Sequence, residues 1–120
     1  MRNKYNARKT YIDDIKFDSK REAERYLVLR EKEKRGQIEN LELQVEIELQ
    51  PPFRDFENKT VRAIKYRMDF RYTLPSLDGK DSIVVWEDVK GYRTDSYKLK
   101  RKMVLYKIYL EKLNVRFIET

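Results

Sequence analysis

The sequence of 120 residues contains no cysteine and no histidine. Their absence excludes disulfides, zinc sites built from cysteine or histidine, thiol nucleophiles and imidazole bases. Carboxylates, lysine, tyrosine and the backbone remain for chemistry, and that set suits Mg²⁺ or Mn²⁺ bound through oxygen. A chain without cysteine also fits a reducing compartment, so we expect a cytoplasmic protein.

Long hydrophobic runs are also missing, since the longest span only four residues, as at Ile83 to Trp86. A membrane-spanning helix and a signal peptide are therefore not expected. Glycine and proline number three each, and 40% apolar beside 41% charged residues is typical of an ordered, heavily charged α/β protein. At this length we predict one domain over residues 11–120, preceded by a basic N-terminal arm over residues 1–10.

The net charge of +7 is unevenly distributed along the chain. Basic residues dominate residues 1–10 and 90–107, whereas residues 37–50 hold four glutamates and no base. Two basic zones around an acidic strand are typical of a protein that binds a polyanion, although side chains that merely solvate a surface give the same pattern. With DNA as the expected partner, the candidate phosphate-binding residues are Arg8, Lys9, Arg93, Lys98, Lys100, Arg101 and Lys102.

The first half of the chain predicts a short lead-in, a helix and a strand. Residues 11–17 alternate around two aspartates, which predicts a small hairpin or an extended segment. A capping-box pattern at Ser19 begins a helix that runs to Arg35 before Gly36. Its predicted inward stripe, which Glu22 adjoins, consists of Ala23, Tyr26, Leu27 and Leu29. Residues 41–49 then alternate as a half-buried strand that ends before two prolines, and a loop follows.

The second half predicts two more strands, a helix and a last strand. Residues 61–72 and 83–90 are the strands, joined by a hairpin turn. Thr94 or Asp95 caps a helix that runs to about Leu113, and residues 115–118 form the last strand. The helix residues expected to make apolar contacts are Leu99, Met103, Tyr106, Ile108 and Leu110. The fold class is therefore α/β with the order αβββαβ, in which the helical crossover makes the third and fourth strands parallel.

Three charged residues of the two middle strands form a candidate metal centre. Side chains two apart on a strand share a face, so Asp88 and Lys90 project together near Asp69, which is expected at the end of the neighbouring strand. Two carboxylates so placed can hold a divalent cation that activates water beside a phosphodiester, and Lys90 can orient or deprotonate that water. The Val89 carbonyl is a further candidate ligand, and Glu22 can reach the metal if its helix packs across the strand ends.

Structural explanations exist for each of these residues. In a chain with 41% charged residues, an aspartate and a later Asp-x-Lys also arise by chance as surface ion pairs. The capping box fully explains Glu22. Glu87 is expected on the opposite face from Asp88 as an ion-pair partner, and Gln44 is a weaker candidate to support the metal's ligands.

These residues resemble the PD-(D/E)xK nuclease superfamily, whose signature is an aspartate on one strand and (D/E)-x-K on the next. The likeness is closer to a small, largely uncharacterised phage-encoded family within it. The segments that carry it are Phe17-Asp18-Ser19-Lys20-Arg21-Glu22-Ala23, Tyr66-Arg67-Met68-Asp69-Phe70, Glu87-Asp88-Val89-Lys90-Gly91 and Tyr97-Lys98-Leu99-Lys100. Met68 stands where the superfamily name places proline. The resemblance implies a restriction-endonuclease-like core over about residues 11–118, with Glu22, Asp69 and Asp88 as acidic site residues and Lys90 as the catalytic lysine.

The resulting expectation is a deoxyribonuclease dependent on Mg²⁺ or Mn²⁺ that cuts DNA internally. The resemblance implies a phage role in recombination, replication or packaging, in the host cytoplasm, with branched DNA as one substrate. A homodimer is expected because cutting both strands of a duplex generally takes two sites. A non-catalytic nucleic-acid-binding module is the main alternative, and a structural protein whose helices dock a partner is a third.

Overall fold

The computed structural model describes residues 10–78, 81–89 and 93–120, and its elements follow the chain in the order expected. In that order they are β1 (Thr10–Ile12), β2 (Ile15–Phe17), α1 (Lys20–Lys34), β3 (Glu39–Gln50), β4 (Phe53–Arg54), β5 (Thr60–Val61), β6 (Ile64–Leu74), β7 (Ile83–Asp88), α2 (Asp95–Leu110) and β8 (Val115–Glu119). Neither helix within these ranges is long and apolar enough to cross a membrane.

A mixed four-stranded sheet with the order β3-β6-β7-β8 forms the centre of the fold. The pairs β3/β6 and β6/β7 are antiparallel, whereas β7/β8 is parallel because α2 carries the chain back across the sheet. Together with α1 these elements give the order αβββαβ, so the predicted α/β fold class and the parallel third and fourth strands are confirmed.

Helix α1 begins and ends where its capping residues predict. The Ser19 side chain accepts a hydrogen bond from the Glu22 backbone N–H at 3.1 Å, and Gly36 follows the helix with a φ of 73°. Its buried residues are Glu22, Ala23, Tyr26 and Leu29. The prediction for Leu27 was wrong, since it is 38% exposed. It lies about 100° round the helix from Tyr26, beyond the strip that the sheet covers.

Helix α2 packs on the sheet through a different strip from the one predicted. Thr94 caps it, and its buried residues are Tyr97 and Val104, with Ile108 packed beside them. Leu99, Tyr106 and Leu110 were expected to make inward contacts, but each is 60% exposed. Spacings of seven and four align the buried residues on the side that faces the sheet, and this leaves the other apolar residues outward.

Two short hairpins lie outside the central sheet. Strands β1 and β2 pair around Asp13 and Asp14, both with positive φ, so the predicted hairpin is confirmed and it begins one residue earlier, at Thr10. Strands β4 and β5 pair where a loop was expected. Their turn is fixed by Asp55, whose side-chain oxygen accepts backbone hydrogen bonds from Glu57 and Lys59.

The apolar residues of β3 and β6 are divided between two hydrophobic clusters, one with α1 and one with α2. On β6, Phe70 packs in the α1 cluster, whereas Met68 packs in the α2 cluster. The division falls at Asp69 and, on β3, at Gln44 opposite it. Gln44 has a φ of 53°, a left-handed backbone conformation within an otherwise extended strand. The two cores therefore meet at this pair of residues.

Candidate functional site

Asp69 and Asp88 lie side by side where β6 and β7 stop pairing. The last paired residues of these strands are Phe70 and Glu87, and the two aspartates come one position further along. The Asp69 backbone N–H donates to Asp88 Oδ1 at 3.1 Å, and the Val89 backbone N–H donates to Asp69 Oδ2 at 2.8 Å. Side-chain oxygens thus accept the backbone donors that a continued ladder would satisfy.

The position of Asp69 differs in one respect from expectation. The sequence suggested the end of a strand, but Asp69 lies in the middle of β6, which continues to pair with β3 on the far side. What ends at Asp69 is the pairing with β7. The predicted faces of β7 are confirmed, since Trp86 joins the α2 cluster while Glu87 contacts Arg25 of α1.

Glu22 joins this pair of aspartates through Gln44. The Gln44 side-chain Nε2 donates to Glu22 Oε1 at 2.7 Å and lies 3.5 Å from Asp69 Oδ1. Glu22 is 7% exposed. Ser19 makes its part of the capping box by accepting the Glu22 backbone N–H, while the Glu22 carboxylate accepts a hydrogen bond from Gln44 of the sheet. The structure therefore brings Glu22, Asp69 and Asp88 into one hydrogen-bonded series in which Gln44 is the connecting residue.

Val89 contributes through its backbone, and Asp88 is supported from β8. The Asp88 side chain is fully buried, and its backbone carbonyl accepts a hydrogen bond from the Thr120 N–H at 2.8 Å. Tyr97 of α2 faces the same region. Burial, a 2.5 Å hydrogen bond to Glu119 and the nearby charge of Asp88 raise the pKa of Tyr97.

Glu119 anchors a cluster of basic residues beside Asp88. Its carboxylate accepts from Arg101 at 3.0 Å and lies 3.6 Å from Arg93. Burial raises the pKa of Glu119, but the hydrogen bond from Tyr97 and the guanidinium of Arg101 outweigh it and hold the pKa below its usual range. Two of the candidate phosphate-binding residues are therefore already paired with a carboxylate.

Glu87 forms a separate buried network on the α1 side of the sheet. Its carboxylate accepts from Arg25 at 2.5 and 3.0 Å, from the Tyr72 hydroxyl at 2.6 Å and from the Thr120 hydroxyl at 3.0 Å. The expected ion pair is confirmed, but the carboxylate is fully buried. The hydrogen bond to Glu87 raises the pKa of Arg25, and burial followed by the same carboxylate raises the pKa of Tyr72.

Several predicted site residues lie outside the residues that the structure describes, namely Lys90, Arg8 and Lys9. Of the other basic candidates, Lys98 and Lys102 are exposed on α2 and Lys100 is half-buried. Within the described ranges, no group of three or more aspartate or glutamate side chains is close enough together to hold a metal ion as the structure stands.

The sequence singled out the acids but underestimated the residues that connect them. Gln44 was a weak candidate because an alternating strand gives no sign of a positive φ at one of its polar positions. Glu119 was not a candidate, since nothing in a short final strand reveals its contact with α2. The predicted parallel arrangement of the last two strands was the available signal, because parallel strands end at the same edge of the sheet, where Asp88 pairs with Glu119.

Comparison with known proteins gives one match. A family model described as "protein of unknown function (DUF1064)" matches residues 2–119. No curated protein and no solved structure matches the chain.

Proposed function

The chain belongs to the DUF1064 family, and we propose that it is a DNA endonuclease dependent on Mg²⁺ or Mn²⁺. The proposed reaction is hydrolysis of phosphodiester bonds, in a restriction-endonuclease-like core of the PD-(D/E)xK superfamily. The proposed setting is phage recombination, replication or packaging in the host cytoplasm, with branched DNA as a substrate.

The observation that carries the proposal is that Asp69 donates its backbone N–H to Asp88 and accepts from the Val89 backbone N–H, with Glu22 joined to Asp69 through Gln44. Hydrogen bonds link three acids from three elements, and two of these acids are largely or fully buried. Carboxylates are rarely buried together unless positive charge compensates them. The Gln44 amide, with its two N–H donors, stands between two of these acids.

The donor set fits a hard divalent cation. Mg²⁺ commonly binds through one or two carboxylates and keeps several waters, so three protein carboxylates are not required. Asp69, Asp88 and the Val89 carbonyl would hold the ion, and Glu22 would bind it or its waters. When bound, it supplies a Lewis acid and lowers the pKa of a bound water.

The other residues act on the substrate and the water. Lys90, two positions after Asp88, would orient or deprotonate the water or neutralise charge on the phosphate. Lys98, Lys100 and Lys102, with Arg8 and Lys9 of the arm, would bind backbone phosphates. Arg93 and Arg101 are already paired with Glu119, so we expect them to contribute less to phosphate binding.

A non-catalytic nucleic-acid-binding module is the second candidate. One observation favours it: among the residues that the structure describes, no three acidic side chains lie close enough together to hold a metal ion. In this alternative the basic residues bind phosphates and the acids only stabilise the fold.

Cleavage assays separate the two candidates. Supercoiled, linear and four-way-junction DNA are incubated with the protein and Mg²⁺, Mn²⁺ or EDTA. For the nuclease we expect metal-dependent cleavage that is lost in Asp88→Asn and Lys90→Ala while DNA binding persists. Glu22→Gln should lose cleavage as well, and Glu24→Gln is its matched control, because Glu24 lies on the same helix, is exposed and pairs with Lys20. Salt-sensitive binding without cleavage of any of these DNAs would support the binding module instead.

A further inference from the structure

One arginine of the central sheet lies beside the candidate metal centre without a carboxylate partner. Strand β6 carries three basic residues, each opposite a glutamate of β3: Lys65 opposite Glu48, Arg67 opposite Glu46 and Arg71 opposite Glu42. Arg71 pairs with its own glutamate at 2.8 Å, whereas Lys65 lies 3.6 Å from Glu46. Arg67 is exposed, and within the described ranges its side chain takes part in no ion pair or hydrogen bond.

Arg67 points to the side of the sheet that carries the acids. Met68, its neighbour on β6, packs in the α2 cluster, so Arg67 takes the opposite face, on the α1 side. Asp69 takes this face as well, because its carboxylate lies 3.5 Å from Gln44 Nε2, and the same amide donates to Glu22 of α1. Residues two apart on a strand are separated by roughly 7 Å. A phosphate bound beside Asp69 is therefore within reach of the long Arg67 side chain.

Helix α1 leaves this part of the sheet open. The β6 residues that pack in the α1 cluster, Phe70 and Tyr72, follow Asp69 along the strand. Arg67 precedes Asp69 and is exposed. A substrate can therefore approach the acids from the Arg67 end of β6 without displacing the helix.

The acids need positive charge besides a metal ion before a phosphodiester can bind among them. When ionised, Glu22, Asp69 and Asp88 carry one negative charge more than a divalent cation neutralises, and the phosphate adds another. Arg25 of α1 is already paired with a buried glutamate. Arg67 has its charge available, and a planar guanidinium can donate to two oxygens of one phosphate at once.

We propose that Arg67 binds the backbone phosphate that lies at the acidic site, with its guanidinium donating to the two non-bridging oxygens. The contact orients the phosphate and offsets its charge beside the carboxylates. This inference rests on the proposed nuclease function for its substrate. It places a phosphate-binding residue on the sheet, in addition to those proposed on α2 and the N-terminal arm.

The first test measures binding of the full chain to a DNA duplex in EDTA over a series of salt concentrations. We expect Arg67→Ala to weaken binding and to reduce the slope of log K against log salt concentration by about one, because one phosphate contact is lost. Circular dichroism checks that the variant is folded.

Arg116→Ala is the matched control for this test. Arg116 is also an exposed strand arginine, it lies on the edge strand β8, and its side chain likewise has no ion pair or hydrogen bond among the described residues. An unchanged slope for Arg67→Ala, or the same reduction in both variants, overturns the proposal.

The second test measures single-turnover cleavage at saturating DNA in Mg²⁺ or Mn²⁺. We expect Arg67→Ala to be slower by about tenfold or more. Arg67→Lys should keep the salt slope but recover only part of the rate, because an ammonium does not reproduce the two-pronged guanidinium contact. A wild-type rate in Arg67→Ala would overturn the placement of Arg67 at the acidic site. If the wild-type protein itself cleaves no DNA, the proposed nuclease function fails, and the salt slope still decides whether Arg67 contacts a phosphate.

Discussion

Asp69 and Asp88 support each other's strand at the point where the strands separate. Asp88 Oδ1 accepts the Asp69 backbone N–H, and Asp69 Oδ2 accepts the backbone N–H of Val89. Each carboxylate therefore has a structural role beside the proposed one, and substitutions must be chosen to separate the two.

Asparagine and alanine substitutions should divide these roles. In Asp69→Asn and Asp88→Asn an amide oxygen can still accept the backbone hydrogen bond, so we expect nearly unchanged stability but loss of metal-dependent cleavage. In the alanine variants a partly buried N–H loses its acceptor, which should cause a further loss of about 1–3 kcal/mol of unfolding free energy. Urea denaturation and a plasmid-nicking assay measure the two effects. Full cleavage by both asparagine variants would exclude the aspartates as metal ligands.

Gln44→Glu should make the stability of the protein depend on divalent cations. The substitution replaces the donor between Glu22 and Asp69 with a third carboxylate, so the metal-free protein should lose about 1–3 kcal/mol through repulsion and lost hydrogen bonding. Mg²⁺ or Mn²⁺ should restore much of that loss. Thermal unfolding in EDTA and in each cation measures it, with Gln37→Glu, an exposed position after α1, as the control. An equal response of both variants to the cation would argue against a cation site at Gln44.

Arg25→Leu should destabilise the protein far more than an exposed arginine substitution does. It leaves the fully buried Glu87 without its cationic partner, and breaking a buried ion pair costs about 3–5 kcal/mol. Arg35→Leu is the comparison, because the Arg35–Glu31 pair is exposed and should contribute at most about 1 kcal/mol. Chemical denaturation at neutral pH compares them. Similar losses in the two variants would mean that Glu87 finds compensation elsewhere.

Glu119 should make the fold sensitive to acid. Because its pKa is lower in the folded protein than the usual value of about 4.3, its contribution is present above that pH and is lost as pH falls through the folded pKa. We expect Glu119→Gln to be about 1–3 kcal/mol less stable than wild type near pH 7, with the gap closing below about pH 4. Denaturation curves at several pH values test this, with Glu24→Gln as an exposed control. A gap that stays constant down to pH 3 would assign the effect to packing.

Much of the fold could be predicted because local signals agreed with the tertiary structure. Ser19 and Thr94 begin the helices through their hydroxyls, and the alternation of β3 and β6 gives more and less buried faces in the expected order, whereas β7 is buried on both faces. The signals failed where one sequence pattern is compatible with two ways of packing. Helix α2 carries two apolar strips, and the sequence did not indicate which one faces the sheet.

The candidate site was predictable in its acids but not in its connections. Strand parity distinguished Asp88 from Glu87, since neighbouring side chains take opposite faces. The link through Gln44 depends on a positive φ in a strand of ordinary composition, which no local pattern announces. The support from Glu119 and Thr120 depends on how β8 aligns with β7, and that register is set by packing over distant parts of the chain.

The two hydrophobic clusters meet at Gln44 and Asp69, so the candidate site lies at the boundary between two separately packed parts of the fold. Residues of β3 and β6 on one side of this pair pack with α1, and those on the other side pack with α2. A small rotation of one core against the other would therefore shift the acidic residues relative to one another, while the packing within each core is kept. Hydrogen exchange at the amides of Asp69 and Val89 would report on this point of the fold, because their acceptors are the carboxylates of Asp88 and Asp69.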